Sequence, residues 1–420
     1  MDKLVIEGGR KLQGEVKISG AKNAVLPLMA ATLLTDETCT IRNVPKLRDT
    51  ITMVKLLRSL GKNVEIDKDC LTISSNGVVN HIADYKLVST MRGSFCVLGP
   101  LLTKLKKAQV SLPGGCIIGV RPVELHIKGI QALGAHIDID NGYVIAKTKM
   151  LKGKQIYLGG AFGSSVLATA NVMMAATLAQ GETVIESAAC EPEVEDLGNF
   201  LDAMGAKIKG QGTPRVTITG VKKLHGADYK VIADRIEAGT FILMAAATRG
   251  DVTLRNADFH HLFALVDKLD EIGVKVWKDG NFIRIKSQKN LNPSGITTYP
   301  YPGFPTDLQA QYMALMATTP GVSVITDKVY PDRFMHIAEL SRMGANIRRE
   351  GNNAIIQGVK VLRGAPVMAS DLRASAALVI AGLAATGKTE IRRIYHLERG
   401  YEDIDGKLTK LGAKVYREKE

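Results

Sequence analysis

Cys116 stands in the stretch "SLPGGCIIGVRP", behind a proline and two glycines and five residues before Arg121. Cysteine is ordinarily a small buried hydrophobe. A loop built on Pro113, Gly114 and Gly115 is instead a place where a thiol can close onto a substrate. A nearby guanidinium such as that of Arg121 favours the thiolate over the thiol. Cations also recur where helices should begin. Lys22 with Asn23 in "SGAKNA", Arg92 in "TMRGS", Arg235 in "ADRIEAG" and Arg373 in "SDLRAS" open apolar helices, as do Ser164 and Ser165 in "GSSVLAT" and Thr306 and Asp307 in "FPTDLQ". Arg121, Arg333 and Arg399 open a second kind of helix. A helix N-terminus attracts anions through its free N–H groups and dipole, and an added Lys or Arg makes that attraction strong. The Ser, Thr and Asp residues can also be read more simply, as N-caps.

The elements that must position these residues form a repeat. "SLGKNVEI", "ALGAHIDI", "AMGAKIKG", "EIGVKVWK", "RMGANIRR" and "KLGAKVYR" each place a glycine before an alternating segment. Those glycines (Gly61, Gly134, Gly205, Gly273, Gly344, Gly412) are spaced by 73, 71, 68, 71 and 68 residues. In phase with them run six Ala/Leu/Met-rich helices, each followed by a turn and a β-branched strand, as in "ANVMMAATLAQGETVIES". Helices apolar on all sides are buried inside a domain. Each unit therefore reads strand, buried helix, strand, outer helix, glycine turn, strand pair. A chain of 420 residues predicts two domains, hence three units in each. The P-loop pattern "GLAATGKT" falls after a buried helix and before a strand, the reverse of the order that phosphate binding needs.

The net charge of +13 favours anionic partners. Aromatic residues make up only 5% of the chain and no arginine- or lysine-rich block occurs, which argues against nucleic acid. No signal core or membrane-length apolar run is present, so a cytoplasmic protein with no membrane partner is expected. The five cysteines (Cys39, Cys70, Cys96, Cys116, Cys190) are scattered and show neither disulfide nor zinc spacing. No metal-ligand cluster is visible, and His260 and His261 read as a cap or surface pair.

"SGAKNAVLPLMAA", "LPGGCIIGVRPVELH", "FPTDLQAQ", "DRFMHIAELSRMGA", "DLRASAALV" and "IYHLERGYE" together resemble the enolpyruvyl transferases over the whole chain. The resemblance implies a two-domain inside-out α/β barrel of six repeated strand–helix units, with residues 1–21 and 231–420 in one domain and 22–230 in the other. It implies transfer of enolpyruvate from phosphoenolpyruvate to the 3-hydroxyl of UDP-N-acetylglucosamine with release of phosphate, the first committed step of peptidoglycan synthesis. No cofactor is implied. Such chemistry needs an acid for the terminal carbon, a base for the hydroxyl, and fixed cations for two anionic substrates.

Carried over motif by motif, the resemblance makes Cys116 the acid or covalent partner, and so the thiol that an epoxide phosphonate such as fosfomycin would alkylate. Asp307 becomes the base or proton shuttle. Lys22, Arg121 and Arg399 form a phosphate clamp; Arg333 and Arg373, with planar forks, form a carboxylate clamp. Arg92 supports the closed loop. Arg121, Pro122, Val123 and Leu125 line the uridine, while Asn23, Ser165, Val166, Thr306 and Val329 contact diphosphate or sugar. Asp371 holds neighbouring side chains. Two positions depart from the family pattern: Leu167 replaces a glycine in "SVLAT", and Pro331 replaces an acidic residue in "VYPDRF". Both predict a weakened hold on the sugar nucleotide. They motivate a rival reading, a binding paralogue without turnover. Two more rivals are the shikimate-pathway transferase, which lacks the cysteine lid, and a nucleic-acid-acting relative of the repeat.

Overall fold

The computed structural model describes residues 2–75, 77, 80–114, 123–288 and 290–420. Six helices carry the apolar segments: Lys22–Ala31, Leu98–Leu105, Val166–Ala176, Arg235–Ala247, Gln309–Met316 and Leu372–Ala384. They are buried on nearly every side; from Arg373 to Leu383, for example, no residue reaches solvent appreciably. Such a helix cannot lie on a surface without exposing apolar area worth about 25 cal/mol per Å². Among the described residues, no helix is long and apolar enough to cross a membrane.

Among the described residues, six four-stranded sheets accompany these helices. Their strands alternate: Glu182–Glu186 exposes Glu182 and buries Thr183 and Ile185. A sheet with one wet face packs its other face on helices. Helices are therefore inside and sheets outside. Four repeats follow one plan: a short strand, the buried helix, then a strand parallel to the first. Examples are Gln155–Tyr157 with Glu182–Glu186 and Ile296–Thr298 with Gly321–Asp327. An outer helix and a glycine turn follow in each, and a hairpin completes three of the four. The six spaced glycines all adopt φ between +88° and +96°, where a Cβ is disfavoured, which explains why this one residue recurs.

The chain divides into two compact units. One joins the N-terminal segment up to Ser19 to Ala233–Glu420, and the other takes in the described residues between Gly20 and Ile232. The two crossings alter the simple repeat expected from the sequence. Gln13–Lys17 precedes the helix Lys22–Ala31 in sequence, yet it pairs in parallel with Asp251–Arg255. Asp228–Lys230 precedes Arg235–Ala247, yet it pairs with Cys39–Arg42. At each crossing the first strand stays behind and the helix moves on, so the two interrupted repeats exchange strands. A third departure lies at the C-terminus. No hairpin follows Gly412; Lys414–Lys419 pairs instead with the N-terminal strand Asp2–Glu7, Asp2 opposite Lys419. Gly20 marks one crossing, where a Cβ would lie 1.7 Å from the carbonyl oxygen of Asn43.

The P-loop-like stretch spans the end of Leu372–Ala384, a turn, and the strand Lys388–Arg392. No helix begins there to receive phosphate. Cys39 and Cys70 lie in strands, Cys96 in the 3-10 turn Arg92–Val97, and Cys190 just before the helix Pro192–Ala203; all four are free thiols. Burial pushes the Cys96 thiol up to about 12, so it is inert.

Candidate active site

In the C-terminal unit, four residues singled out by sequence, Thr306, Asp307, Arg333 and Arg373, converge. Thr306 and Asp307 form a 3-10 turn, Thr306–Leu308, ahead of the buried helix Gln309–Met316. Asp307 does not cap that helix with its side chain. Its carboxylate instead bridges two arginines: Arg333 Nη1 donates to Oδ1 at 2.7 Å, and Arg373 Nη2 donates to Oδ2 at 2.8 Å. Both guanidinium groups are buried, at 6% and 2% side-chain exposure, whereas Asp307 keeps 25%. Burial by itself would raise the Asp307 carboxyl, but the two positive charges override it and hold the group well below the usual carboxylate range.

Each arginine is fixed by groups other than Asp307. Arg373 Nη1 donates to the Tyr401 hydroxyl at 3.2 Å, and its guanidinium lies 5.5 Å from the Tyr401 ring centre. The Tyr401 hydroxyl also meets Thr240 Oγ1 at 2.9 Å and accepts from Gln311 Nε2 at 3.2 Å. Arg333 Nη1 reaches Thr306 Oγ1 at 3.2 Å. Thr306 in turn donates to Asp327 Oδ2 at 2.7 Å. Asp327 is fully buried and accepts in addition from Thr298 Oγ1, Val329 N and Tyr330 N. Four donors compensate that carboxylate for lost water and tie Val329 and Thr306 to one anchor. Asp371 caps Leu372–Ala384 by accepting from the amides of Arg373 and Ala374. Its charge also reaches Arg333 and His336; burial lowers the imidazole to about 4 despite that carboxylate. Arg399 closes the 3-10 turn Ile394–Arg399 and is half-buried.

In the other unit, Lys22 and Asn23 open Lys22–Ala31 as expected, and Lys22 Nζ pairs with the buried Asp49 carboxylate at 2.8 Å. Arg92 opens its 3-10 turn beside a buried polar group. Asn171 Oδ1 accepts from Gly99 N at 2.8 Å, which makes its amide nitrogen the donor to Phe95 O and to His126 Nδ1. His126 is thereby held neutral with its proton on Nε2; burial and then Arg92 lower it to about 3. Ser165 caps Val166–Ala176, accepting from Ala168 N at 3.4 Å. Val166 and Leu167 both lean on the apolar core of this unit, so Leu167 has a packing partner there. Val123 precedes the outer helix Glu124–Ala132, whose Leu125 meets the backbone at Gly160. Gly114 passes so close to Ser89 that a Cβ would lie 2.8 Å from the Ser89 carbonyl oxygen. Gly115, Cys116, Arg121 and Pro122 lie outside the described residues.

Sequence reasoning missed Asp327, Tyr401, Gln311, Thr240 and Asp49. Asp327 had a usable signal, an aspartate ending a β-branched strand before a turn, the setting in which Asx side chains bind following amides. Tyr401 sat within a quoted motif but carried no local mark of its hydroxyl's partners.

A family model described as EPSP synthase (3-phosphoshikimate 1-carboxyvinyltransferase) matches residues 6–408. The chain belongs to the enolpyruvyl transferase family. Its relatives in this family include a protein of Methylacidiphilum infernorum, 51% identical over 99% of both chains, named UDP-N-acetylglucosamine 1-carboxyvinyltransferase. A protein of the same name from Geotalea uraniireducens is 52% identical over the full length of both. Among solved structures, the enolpyruvyl transferase NikO from Streptomyces tendae matches with a TM-score of 0.90 at 24% identity, covering 99% of this chain and 98% of that one. EPSP synthase from Acinetobacter baumannii matches with a TM-score of 0.74 at 19% identity over the whole of both chains. These structural matches speak to the enolpyruvyl transferase fold, the two-unit inside-out α/β architecture of six sheets around buried helices.

Proposed function

We propose that this protein transfers the enolpyruvyl group of phosphoenolpyruvate to the 3-hydroxyl of UDP-N-acetylglucosamine, releasing phosphate. The observation that carries the choice of acceptor is identity. Full-length relatives named for the sugar nucleotide are 51–52% identical, whereas a structure named EPSP synthase is 19% identical. The paired arginines around Asp307 support the choice of donor, because two guanidinium groups a carboxylate's width apart suit a donor that carries one.

The reaction divides into addition and elimination. The donor's terminal carbon takes a proton and becomes a methyl group. The hydroxyl oxygen bonds to the adjacent carbon and loses its own proton to a base. The tetrahedral intermediate then returns a methyl proton, and its carbon–oxygen bond to phosphate breaks. Asp307 is the base in this reading, and Cys116 the acid or covalent partner. Arg333 and Arg373 hold the donor carboxylate. Lys22, Arg121 and Arg399 hold its phosphate, and Arg92 supports the loop. Asn23, Pro122, Val123, Leu125, Ser165, Val166, Thr306 and Val329 contact the nucleotide sugar. The substrates are small molecules met in the cytoplasm, at the first committed step of peptidoglycan synthesis.

The test is phosphate release from the purified protein with phosphoenolpyruvate, with and without UDP-N-acetylglucosamine. Release that needs both, and disappears in Asp307→Ala, supports the transferase. Binding of the sugar nucleotide with no release would instead identify a paralogue without turnover.

A further inference from the structure

Asp307, the base of the proposed reaction, is placed where it is least basic. Its carboxylate bridges Arg333 and Arg373, one oxygen to each. A donor's carboxylate would take the same two-arginine position. The arginines do not depend on Asp307 for their placement. Tyr401 holds Arg373, and Thr306 holds Arg333, which also lies 5.8 Å from the Tyr330 ring centre. Asp307 is the more exposed member of the three and sits on a short 3-10 turn. The arginines also have donating capacity that Asp307 leaves unused: the Nε of Arg333 and the Nε of Arg373 are buried and have no hydrogen-bond partner among the described residues. A buried charged donor without an acceptor is unfavourable, and a ligand carboxylate entering the pincer could use it.

We propose that Asp307 is the resting occupant of the carboxylate pincer, and that the donor's carboxylate displaces it from Arg333 and Arg373 and so frees it to act as base. This inference rests on the donor assignment made under the proposed function. While Asp307 is ion-paired to two guanidinium groups, it binds a proton poorly. Once the donor carboxylate takes both, Asp307 loses the charges that suppressed its basicity and can accept the proton from the acceptor hydroxyl oxygen. Base and donor are thereby coupled. The base is competent only when the molecule to be attacked is in place.

The coupling has a signature that a base with no second role lacks. Removing Asp307 should abolish turnover and tighten donor binding, because the ligand no longer competes with an internal carboxylate. The measurement is titration calorimetry of wild type, Asp307→Ala and Asp307→Asn with two probes, phosphoenolpyruvate and vinyl phosphate, which has the same phosphate and double bond and no carboxyl group. Asp307→Ala is expected to bind phosphoenolpyruvate about tenfold or more tightly than wild type, the scale of one charge-assisted hydrogen bond. Vinyl phosphate should change by less than about threefold. Asp307→Asn should lie between wild type and Asp307→Ala. Unchanged or weaker phosphoenolpyruvate binding overturns the proposal. Equal tightening of both probes overturns it too, since that is general relief of negative charge. Should neither variant fold, a crystal structure of wild type with phosphoenolpyruvate decides. Asp307 still bonded to both arginines would refute displacement. Phosphate release by wild type reports separately on the proposed function, so a protein that binds as expected and does not turn over would sink that function alone.

Discussion

Tyr401→Phe isolates what the tertiary structure adds to Arg373. The substitution removes one oxygen and keeps the ring, so the guanidinium retains its aromatic neighbour at 5.5 Å. Three groups lose a partner. Thr240 Oγ1 keeps the Ile236 carbonyl at 2.8 Å, and Gln311 Nε2 keeps the Asp307 carbonyl at 2.8 Å. Arg373 Nη1 has no second acceptor of that kind among the described residues, and its side chain is 2% exposed. Leaving one charged donor buried and unpaired costs about 1.5–3 kcal/mol, so a loss of about 2 kcal/mol is expected. Tyr401→Ala also removes the ring and leaves a cavity, raising the loss to about 4 kcal/mol. The single tryptophan of the chain, Trp277, lies in the same unit, in the strand Val274–Asp279, and serves as the fluorescence probe. Guanidinium denaturation followed at Trp277 should show a lower midpoint with unchanged slope for Tyr401→Phe. If Arg373 then binds the donor carboxylate less well, kcat/KM for phosphoenolpyruvate should fall about tenfold to thirtyfold. A Tyr401→Phe protein within about 0.5 kcal/mol of wild type, with unchanged kcat/KM, would show that the hydroxyl does not orient Arg373.

Three further outcomes test other parts of the structure. Asp196 is 1% exposed, and burial lifts its carboxyl from 3.8 to about 6 although the Tyr229 hydroxyl donates to it at 2.7 Å. A raised acid destabilises the fold once ionised, so the contribution of Asp196 to stability is greatest below about pH 4 and falls by about 3 kcal/mol as pH rises through 6. Asp196→Asn should flatten that slope in far-UV circular dichroism melts, and an unchanged slope would disprove the assignment. Gly358→Ala would place a Cβ 1.6 Å from the Thr319 carbonyl oxygen, with the same distance at Gly220 from Ala179. Either substitution should cost more than about 3 kcal/mol, read from denaturation midpoints; a neutral result would mean that these strand ends can move apart. Leu167→Gly should lower the Michaelis constant for the sugar nucleotide if leucine loosens the diphosphate clamp. It should also lower stability by about 1 kcal/mol or more, because Leu167 packs on the core. An unaltered Michaelis constant counts against the clamp.

Much of this was legible because it is local. The period near 70 residues, the helix–turn–strand units and the burial of the apolar helices follow from composition and spacing. Ser165 and Asp371 were readable as helix starts from their side chains. Other features were hidden because nothing near them in sequence records them. The exchange of strands between the first and fourth repeats depends on the chain crossing after Ser19 and after Ile232. The last sheet borrows Asp2–Glu7, more than four hundred residues from its partner Lys419 at the outer end. Asp307 was singled out by its motif. Its carboxylate's attachment to both arginines could not be, since they lie 26 and 66 residues further along the chain.

The repeat, the glycine turns, the buried helices and the set of charged residues at helix starts all follow from local amino-acid order. Each of those is a demand that a few neighbouring residues make on the backbone, by left-handed φ, by capping, or by having no face that tolerates water. Which charges meet depends on the folding of distant segments onto one another. Asp307 meets Arg333 and Arg373 across 26 and 66 residues of chain, and the buried Asp327 is reached by Thr298 and Thr306 from two other segments as well as by the nearby amides of Val329 and Tyr330. A buried charge is stable only when paired. Its partners are chosen by the fold that brings distant segments within hydrogen-bond distance.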